Sequence, residues 1–331
     1  MKLLPFLLLG ASFCPVAAQT YSQPLGIALE TVRYPRPVQF LELQNGGQSV
    51  RMAYMHAYPP VGAKRPQRPA VLLLHGKNFA GFYWANTIRA LTEAGYVVIV
   101  PDQIGFGKSS KPDLRYSFDL LADNTAKLLD KFKIDRVFVV GHSMGGMLAV
   151  KFARKYPNRV AKLVLENPIG LEDYRAAIGP VPFEKLLQTE RSDTNPAKIR
   201  AFFKRYFVTW QPQFEQFVEI KSRVALSGEF PRYARASART YEPIFEEPIV
   251  PDFPLLKVPT LLIIGQEDHT VVGKSYARPE VAKTLGNYPL LGRKTARAIA
   301  GARLVELKGV GHIPHLEAPA KFNAALLGFL K

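Results

Sequence analysis

Six short, mostly apolar runs constrain the fold of this chain more than any other feature. They are Ala70 to Leu74, Tyr96 to Val100, Arg136 to Val140, Lys162 to Leu165, Thr260 to Ile264 and Arg303 to Leu307. Strands of a parallel sheet covered on both faces have this appearance. Helical patterns separate most of the runs, at Trp84 to Ala94, Ser117 to Phe132 and Gly145 to Tyr156. Such alternation predicts an α/β fold with a mostly parallel, doubly wound sheet. Functional groups are then expected just beyond the carboxyl ends of the strands.

Ahead of this pattern, Val38 to Leu43 and Val50 to Met55 alternate like strands around Asn45-Gly46-Gly47 and read as an antiparallel hairpin. A Pro-rich, basic loop from Pro59 to Pro69 follows. The alternation breaks once, where about 90 residues separate Leu165 from Thr260, far more than a crossover needs. A helical lid insertion is expected at about 168–252. Asn195-Pro196 supplies a helix cap and a first-turn proline there, and Phe203, Phe207 and Trp210 recur at helical spacing, with Phe214 and Phe217 beyond. These aromatics could line an apolar pocket, although packing within the lid is the commoner fate of such residues. A smaller insertion, Val272 to Gly301, reads as a helix from Pro279 to Leu285 stopped by Gly286, then a second from Gly292 to Ala300.

The first eighteen residues have a different character. Lys2 precedes the apolar run Leu3 to Leu9, and Val16-Ala17-Ala18 closes the segment, as in a secretory signal peptide cut after Ala18. The run is about half the length of a membrane span. The mature domain is therefore expected at 19–331, exported to the periplasm or secreted. Cys14, the sole cysteine, leaves with the signal, which excludes disulfides, a cysteine nucleophile and thiolate metal sites from the mature chain. The formal charge of +17 is dispersed over residues such as Lys198, Arg205 and Arg235. No nucleic-acid-binding module accompanies it. The charge reads as a solvated basic surface, with weak attraction to anionic surfaces or acidic substrates as the remaining option.

The chemistry concentrates where Val137 to Val140 run into Gly141-His142-Ser143-Met144-Gly145 and then a helix. A serine at a sharp strand-to-helix turn is lifted above the sheet edge, and flanking glycines let neighbouring backbone approach. Ser143 is the candidate nucleophile. A serine hydroxyl needs a base, and the base needs an orienting carboxylate. Asp268 follows Leu261 to Ile264 in Gly265-Gln266-Glu267-Asp268, and His312 follows the strand ending at Leu307 in Gly309-Val310-Gly311-His312. Glu267 competes for the acid role and His315 for the base, and the loop offsets favour Asp268 and His312. His142 reads as a supporting residue beside the nucleophile, Asp102 as an anchor for its own loop, and His75 as a brace for the loop after the first parallel strand. Two N–H donors must receive the developing oxyanion. Met144, directly after the nucleophile, and Lys77 are the candidates, with Asn78 a further one through its backbone or side chain. No cofactor or metal is called for.

The chain resembles the α/β-hydrolase superfamily from about Val38 onward. The resemblance rests on His75-Gly76, Pro101-Asp102 to Ser110, Gly141 to Gly145, Gly265 to Asp268, and Gly311-His312 with Glu317-Ala318-Pro319. It is similar to lidded, serine-nucleophile enzymes that include haloperoxidase-like esterases, lactonases and meta-cleavage C–C bond hydrolases. The resemblance implies a small-molecule acyl substrate, with ester hydrolysis expected through an acyl-enzyme. C–C bond cleavage and ligand sensing on the same fold are the alternatives. Ser143 stands where haloalkane dehalogenases and epoxide hydrolases carry aspartate. Asn78 replaces the proline of an H-G-x-P oxyanion loop, and the 272–301 insertion is longer than such enzymes usually carry.

Overall fold

The computed structural model describes residues 21–60 and 70–331. The expected signal peptide, with Cys14, and residues 61–69 of the Pro-rich loop lie outside them. Eight strands form one sheet in the order β1-β2-β4-β3-β5-β6-β7-β8. Strands β1 (Val38–Asn45) and β2 (Gln48–Ala57) are antiparallel, with Val38 opposite Met55 and Leu43 opposite Val50. Gly46 and Gly47 connect them at φ +55° and +73°, the left-handed pair that a two-residue hairpin turn requires. Strand β2 joins the sheet antiparallel to β4 (Val98–Pro101). All further pairings are parallel, through β3 (Ala70–Leu74), β5 (Val137–His142), β6 (Val160–Glu166), β7 (Thr260–Gly265) and β8 (Arg303–Leu307).

All six apolar runs are therefore strands, with shifted ends. Tyr96 lies outside β4, because its N–H closes the preceding helix on the Leu91 carbonyl at 3.0 Å. Every residue of β3, β4, β5 and β7 is buried, which is why these segments lack polar alternation. Leu72, Leu74, Val137 and Val139 face one core, together with α2 (Phe118–Lys131) and α3 (Met144–Lys155). Val71, Leu73, Phe138 and Val140 face the other, with α1 (Ala85–Glu93) and the C-terminal helix Pro319–Leu330. The predicted helix at Trp84 starts one residue late, since Gly81–Trp84 form a 3-10 turn. Ser117 caps α2 by accepting the Leu120 N–H at 3.0 Å, satisfying one orphan donor.

Between β6 and β7 lie α4 (Tyr174–Ala177), α5 (Phe183–Ser192), α6 (Pro196–Lys204), α7 (Glu215–Ala225), α8 (Phe230–Arg239) and α9 (Glu242–Glu246). Asn195 caps α6 as expected, accepting the Ala197 N–H at 2.9 Å. The expected helical face of Phe203, Phe207 and Trp210 does not form. Helix α6 ends at Lys204, the N–H groups of Tyr206 and Phe207 turn back to carbonyls three residues earlier, and the Glu317 carboxylate takes the N–H groups of Val208 and Thr209. Phe207 instead stacks on Phe214 at 3.9 Å, and Phe203 packs against Phe217 and Phe79.

The second insertion carries α10 (Pro279–Ala282) and α11 (Tyr288–Ala298). Helix α11 starts four residues before the expected Gly292, because Asn287 caps it through the Leu290 N–H and Pro289 occupies its first turn. The amino-terminal segment makes a small third core of Leu25, Ile27 and Leu29 against Val224 of α7. The Leu25 N–H donates to the Arg223 carbonyl at 3.0 Å, and Lys108 Nζ donates to the Leu29 carbonyl at 2.7 Å. That segment thereby straps α7 to the body of the sheet.

Candidate active site

Ser143 sits between β5 and α3 at φ +56°, ψ −121°, a conformation few non-glycine residues adopt without external support. The support is visible. Ser143 N–H donates to the Glu166 carbonyl at 3.1 Å, and Ser143 O accepts from Gly146 and Ile169. The flanking glycines are required by contact as well. A Cβ on Gly145 would collide with the Leu74 carbonyl, and one on Gly141 with the Gly145 carbonyl. Met144 opens α3, so its N–H is among the donors a helix start leaves unsatisfied.

His312, in the loop after β8, links the other two groups. Its Nδ1 lies 2.7 Å from Asp268 Oδ2 and its Nε2 3.0 Å from Ser143 Oγ. Asp268 Oδ2 also accepts from Asn167 Nδ2 at 2.8 Å, and Oδ1 from the Thr270 N–H at 2.8 Å. Burial alone would push the Asp268 carboxyl up. The His312 imidazole and these hydrogen bonds hold it below the usual carboxylate range instead. An ionised Asp268 fixes the Nδ1–H tautomer of His312 and leaves Nε2 free to accept the Ser143 proton.

The competing residues are placed elsewhere. Glu267 is exposed while its neighbour Asp268 is buried. His315 pairs with Glu166, its Nδ1 at 2.9 Å and its N–H at 2.8 Å from Oε1, and stacks on Trp84 at 4.0 Å. His142 bridges two loops: Nε2 contacts the His312 carbonyl and Nδ1 the Tyr83 hydroxyl, both at 2.9 Å. Burial, with His312 and His315 nearby, drives its pKa well down, so it is neutral. Asp102 accepts from the Gly81 N–H, the Lys108 N–H and the Tyr34 hydroxyl and so anchors its loop. His75, its pKa lowered by burial, accepts the Gln103 N–H at 3.0 Å and contacts the Gly76 carbonyl at 2.9 Å.

The loop after β3 lies directly against Ser143, since a Cβ on Gly76 would stand 3.0 Å from Ser143 Cβ. The next residue, Lys77, has a backbone N–H without an acceptor among the described residues. Its side chain has a different task. The ammonium turns into the helical insertion, 3.1 Å from the Ser237 carbonyl and hydroxyl, 4.0 Å from Glu190 and 3.8 Å over the Tyr241 ring. Burial pushes it down to about 8, against the pull of Glu190. Asn78 donates its side-chain N–H to the Tyr206 hydroxyl at 3.1 Å, so its carboxamide is held by the insertion.

A cavity of about 630 Å³ opens at Ser143. The aromatic residues singled out by spacing do not line it. Phe79, Phe202, Tyr206, Tyr241, Phe245 and Tyr276 do. The 272–301 insertion contributes the wall from Val272 to Tyr276, and the Tyr276 hydroxyl meets Thr189 Oγ1 of α5 at 2.9 Å. Sequence reasoning missed this wall. It also missed Asn167, which holds Asp268, and Tyr206, whose carbonyl accepts the His312 N–H at 2.8 Å. Among the described residues, no group of three or more His, Cys, Asp or Glu is placed to hold a metal ion, and no helix is long and apolar enough to cross a membrane.

This sheet, with its serine at the β5-to-α3 turn, is that of an enzyme class, and the chain belongs to the α/β-hydrolase fold family, whose model matches residues 69–319. The crystal structure of a "probable hydrolytic enzyme" from Pseudomonas aeruginosa PAO1 superposes with a TM-score of 0.89 at 40% identity, covering 93% of this chain and 99% of that one. A Synechocystis protein whose name assigns it to the non-heme chloroperoxidases is 31% identical, over 83% of this chain and 94% of its own length. The 2-hydroxy-6-oxo-6-phenylhexa-2,4-dienoate hydrolase of Comamonas testosteroni is 28% identical, over 79% of this chain and 87% of its own.

Proposed function

We propose that this α/β-hydrolase cleaves a carboxylic ester or related acyl substrate through an acyl-enzyme on Ser143. The observation that carries the reading is His312 standing between Asp268 at 2.7 Å and Ser143 at 3.0 Å. Ser143 Oγ attacks the carbonyl carbon while His312 Nε2 takes its proton. The N–H groups of Met144 and Lys77 receive the oxyanion, a contribution of about 10²–10³ in rate for each such donor. His312 then returns the proton to the leaving alcohol. Water, activated by the same imidazole, releases the acid and regenerates the serine. The helices between β6 and β7 act as the lid, at about 168–252.

The sequence of residues 1–18 supports export of the mature chain, beginning at Gln19, to the periplasm or medium. C–C bond hydrolysis is a second reading, favoured by the Comamonas relative. One experiment addresses these points together: fluorophosphonate labelling of the exported enzyme, with the amino terminus and labelled residue located by mass spectrometry. Ser143 should carry the label. In Ser143→Ala, turnover of p-nitrophenyl esters should fall by about 10⁴–10⁶. Activity retained in that variant would refute the acyl-enzyme. Faster wild-type turnover of a ring-fission dienoate than of any ester would favour the second reading.

A further inference from the structure

The wall of the Ser143 cavity is unbalanced in charge. Lys77, Arg205, Lys221 and Lys274 line it against Glu190 and Asp193. Lys77 and Glu190 offset each other at 4.0 Å, and Lys274 Nζ donates to the Leu285 carbonyl at 3.2 Å. Arg205 and Lys221 are different. Neither charged group has an ion-pair or hydrogen-bond partner among the described residues, and they flank one ring: Arg205 lies 5.0 Å and Lys221 5.3 Å from the centroid of Phe202. Lys221 is half-buried on α7, and its charge helps hold the Glu190 carboxyl below its usual range, burial opposing. Arg205, just past the end of α6, is exposed, and with Lys221 it places two cations without a direct ion pair at the Phe202 side of the cavity lining.

We propose that the substrate carries a carboxylate in addition to its scissile acyl bond, and that Lys221 and Arg205 bind this carboxylate at the Phe202 end of the cavity. The inference rests on the acyl-hydrolase reading above. Apolar contacts from Phe79, Tyr241 and Phe245 enclose the chain between the two groups, and the cation pair selects against neutral esters of equal length. Specificity arises because a charged donor left unpaired against a neutral substrate gains nothing in return for its partial desolvation.

The test compares three hexanoyl-length substrates: p-nitrophenyl hexanoate, the mono-p-nitrophenyl ester of adipic acid, and 4-carboxyphenyl hexanoate. The last two place the carboxylate on the acyl and alcohol sides respectively. For one of them, the ratio of its kcat/KM to that of the neutral ester should fall about tenfold in Lys221→Met and in Arg205→Met, with partial recovery in Lys221→Arg. Lys204→Met removes one exposed charge that does not line the cavity and should leave the ratio as in wild type. An equal fall in Lys204→Met would assign the preference to net charge and overturn the proposal, as would ratios unchanged in both cavity variants. Those failures leave hydrolysis of the neutral ester intact. If wild type turns over none of the three, the acyl-hydrolase reading itself falls, and the substrate assignment with it.

Discussion

Ser143 occupies its strained backbone because three hydrogen bonds and two close glycine contacts leave no alternative, and His312 is held with similar redundancy. Its carbonyl meets His142, its N–H donates to Tyr206, and its ring lies between Asp268 and Ser143. The side chain of Asp268 is the group whose replacement separates geometry from charge. In Asp268→Asn the Nδ1–H tautomer of His312 loses its ionised acceptor, while the residue size is retained. The expected outcome is a fall in kcat of about 10⁴, with a thermal midpoint at pH 7 lowered by only a few degrees as the ionised acceptor is lost. Steady-state kinetics and a melting curve on the same preparation check both halves, and a loss smaller than tenfold would remove Asp268 from the mechanism. Glu317 is a further tie at this scale: one oxygen accepts the Gly311 N–H and the other the N–H groups of Val208 and Thr209. It joins the His312 loop to the turn that ends α6.

At the scale of elements, the cavity is assembled from pieces distant in sequence. The turn after β5 presents the serine, the end of α6 and α7 bring Arg205 and Lys221, and the segment after β7 closes a wall against α5. The amino-terminal strap bears on this assembly, because Leu25, Ile27 and Leu29 are buried against α7 rather than against the sheet. Removing them should loosen the helical insertion before the body of the protein. In Leu25→Ala/Ile27→Ala, each truncation should cost about 2 kcal/mol of local packing, the low end for buried aliphatic side chains. Limited proteolysis should then cut within residues 205–230 faster than in wild type, while cuts in the sheet crossovers stay slow. Equal protection of the two regions would show that the strap does not restrain the insertion.

The whole molecule keeps His142 and His75 neutral inside the fold, their pKa values lowered chiefly by burial. In the unfolded chain each titrates near 6.5. Below about pH 6.5 the unfolded state therefore binds protons that the native state refuses, and stability falls by up to roughly 1.4 kcal/mol per pH unit for each such histidine. Asp268 acts in a lower window. Its depressed value contributes stability above about pH 4 that is lost in stronger acid. Urea midpoints should accordingly drop between pH 7 and pH 5.5, before carboxylates protonate, and His142→Gln should flatten that slope. A midpoint independent of pH across this interval would contradict neutral burial of the two rings.

Much of this protein was legible in one dimension. Burial on both faces makes strand sequences continuously apolar, so the six runs, the hairpin around Gly46-Gly47 and the serine turn could be placed from local pattern. The order of Ser143, Asp268 and His312 followed, because each is offset by a few residues from a strand end. Local pattern could not decide which face of the insertion meets the cavity. Phe203 and Phe207 carry the stronger periodic signal, yet they pack into the core beneath the insertion, while Phe202 and Tyr206 line the cavity at Ser143. That choice depends on how α6 packs, and Glu317, more than a hundred residues away, takes the N–H groups just beyond the turn that ends it. The same holds for Arg205 and Lys221. Sequence shows only dispersed basic residues, and only tertiary structure shows these two flanking one ring, neither in a direct ion pair among the described residues. Strand propensity and turn chemistry act over a few bonds and are written in the chain, whereas charge pairing and cavity walls depend on contacts between segments that only folding brings together.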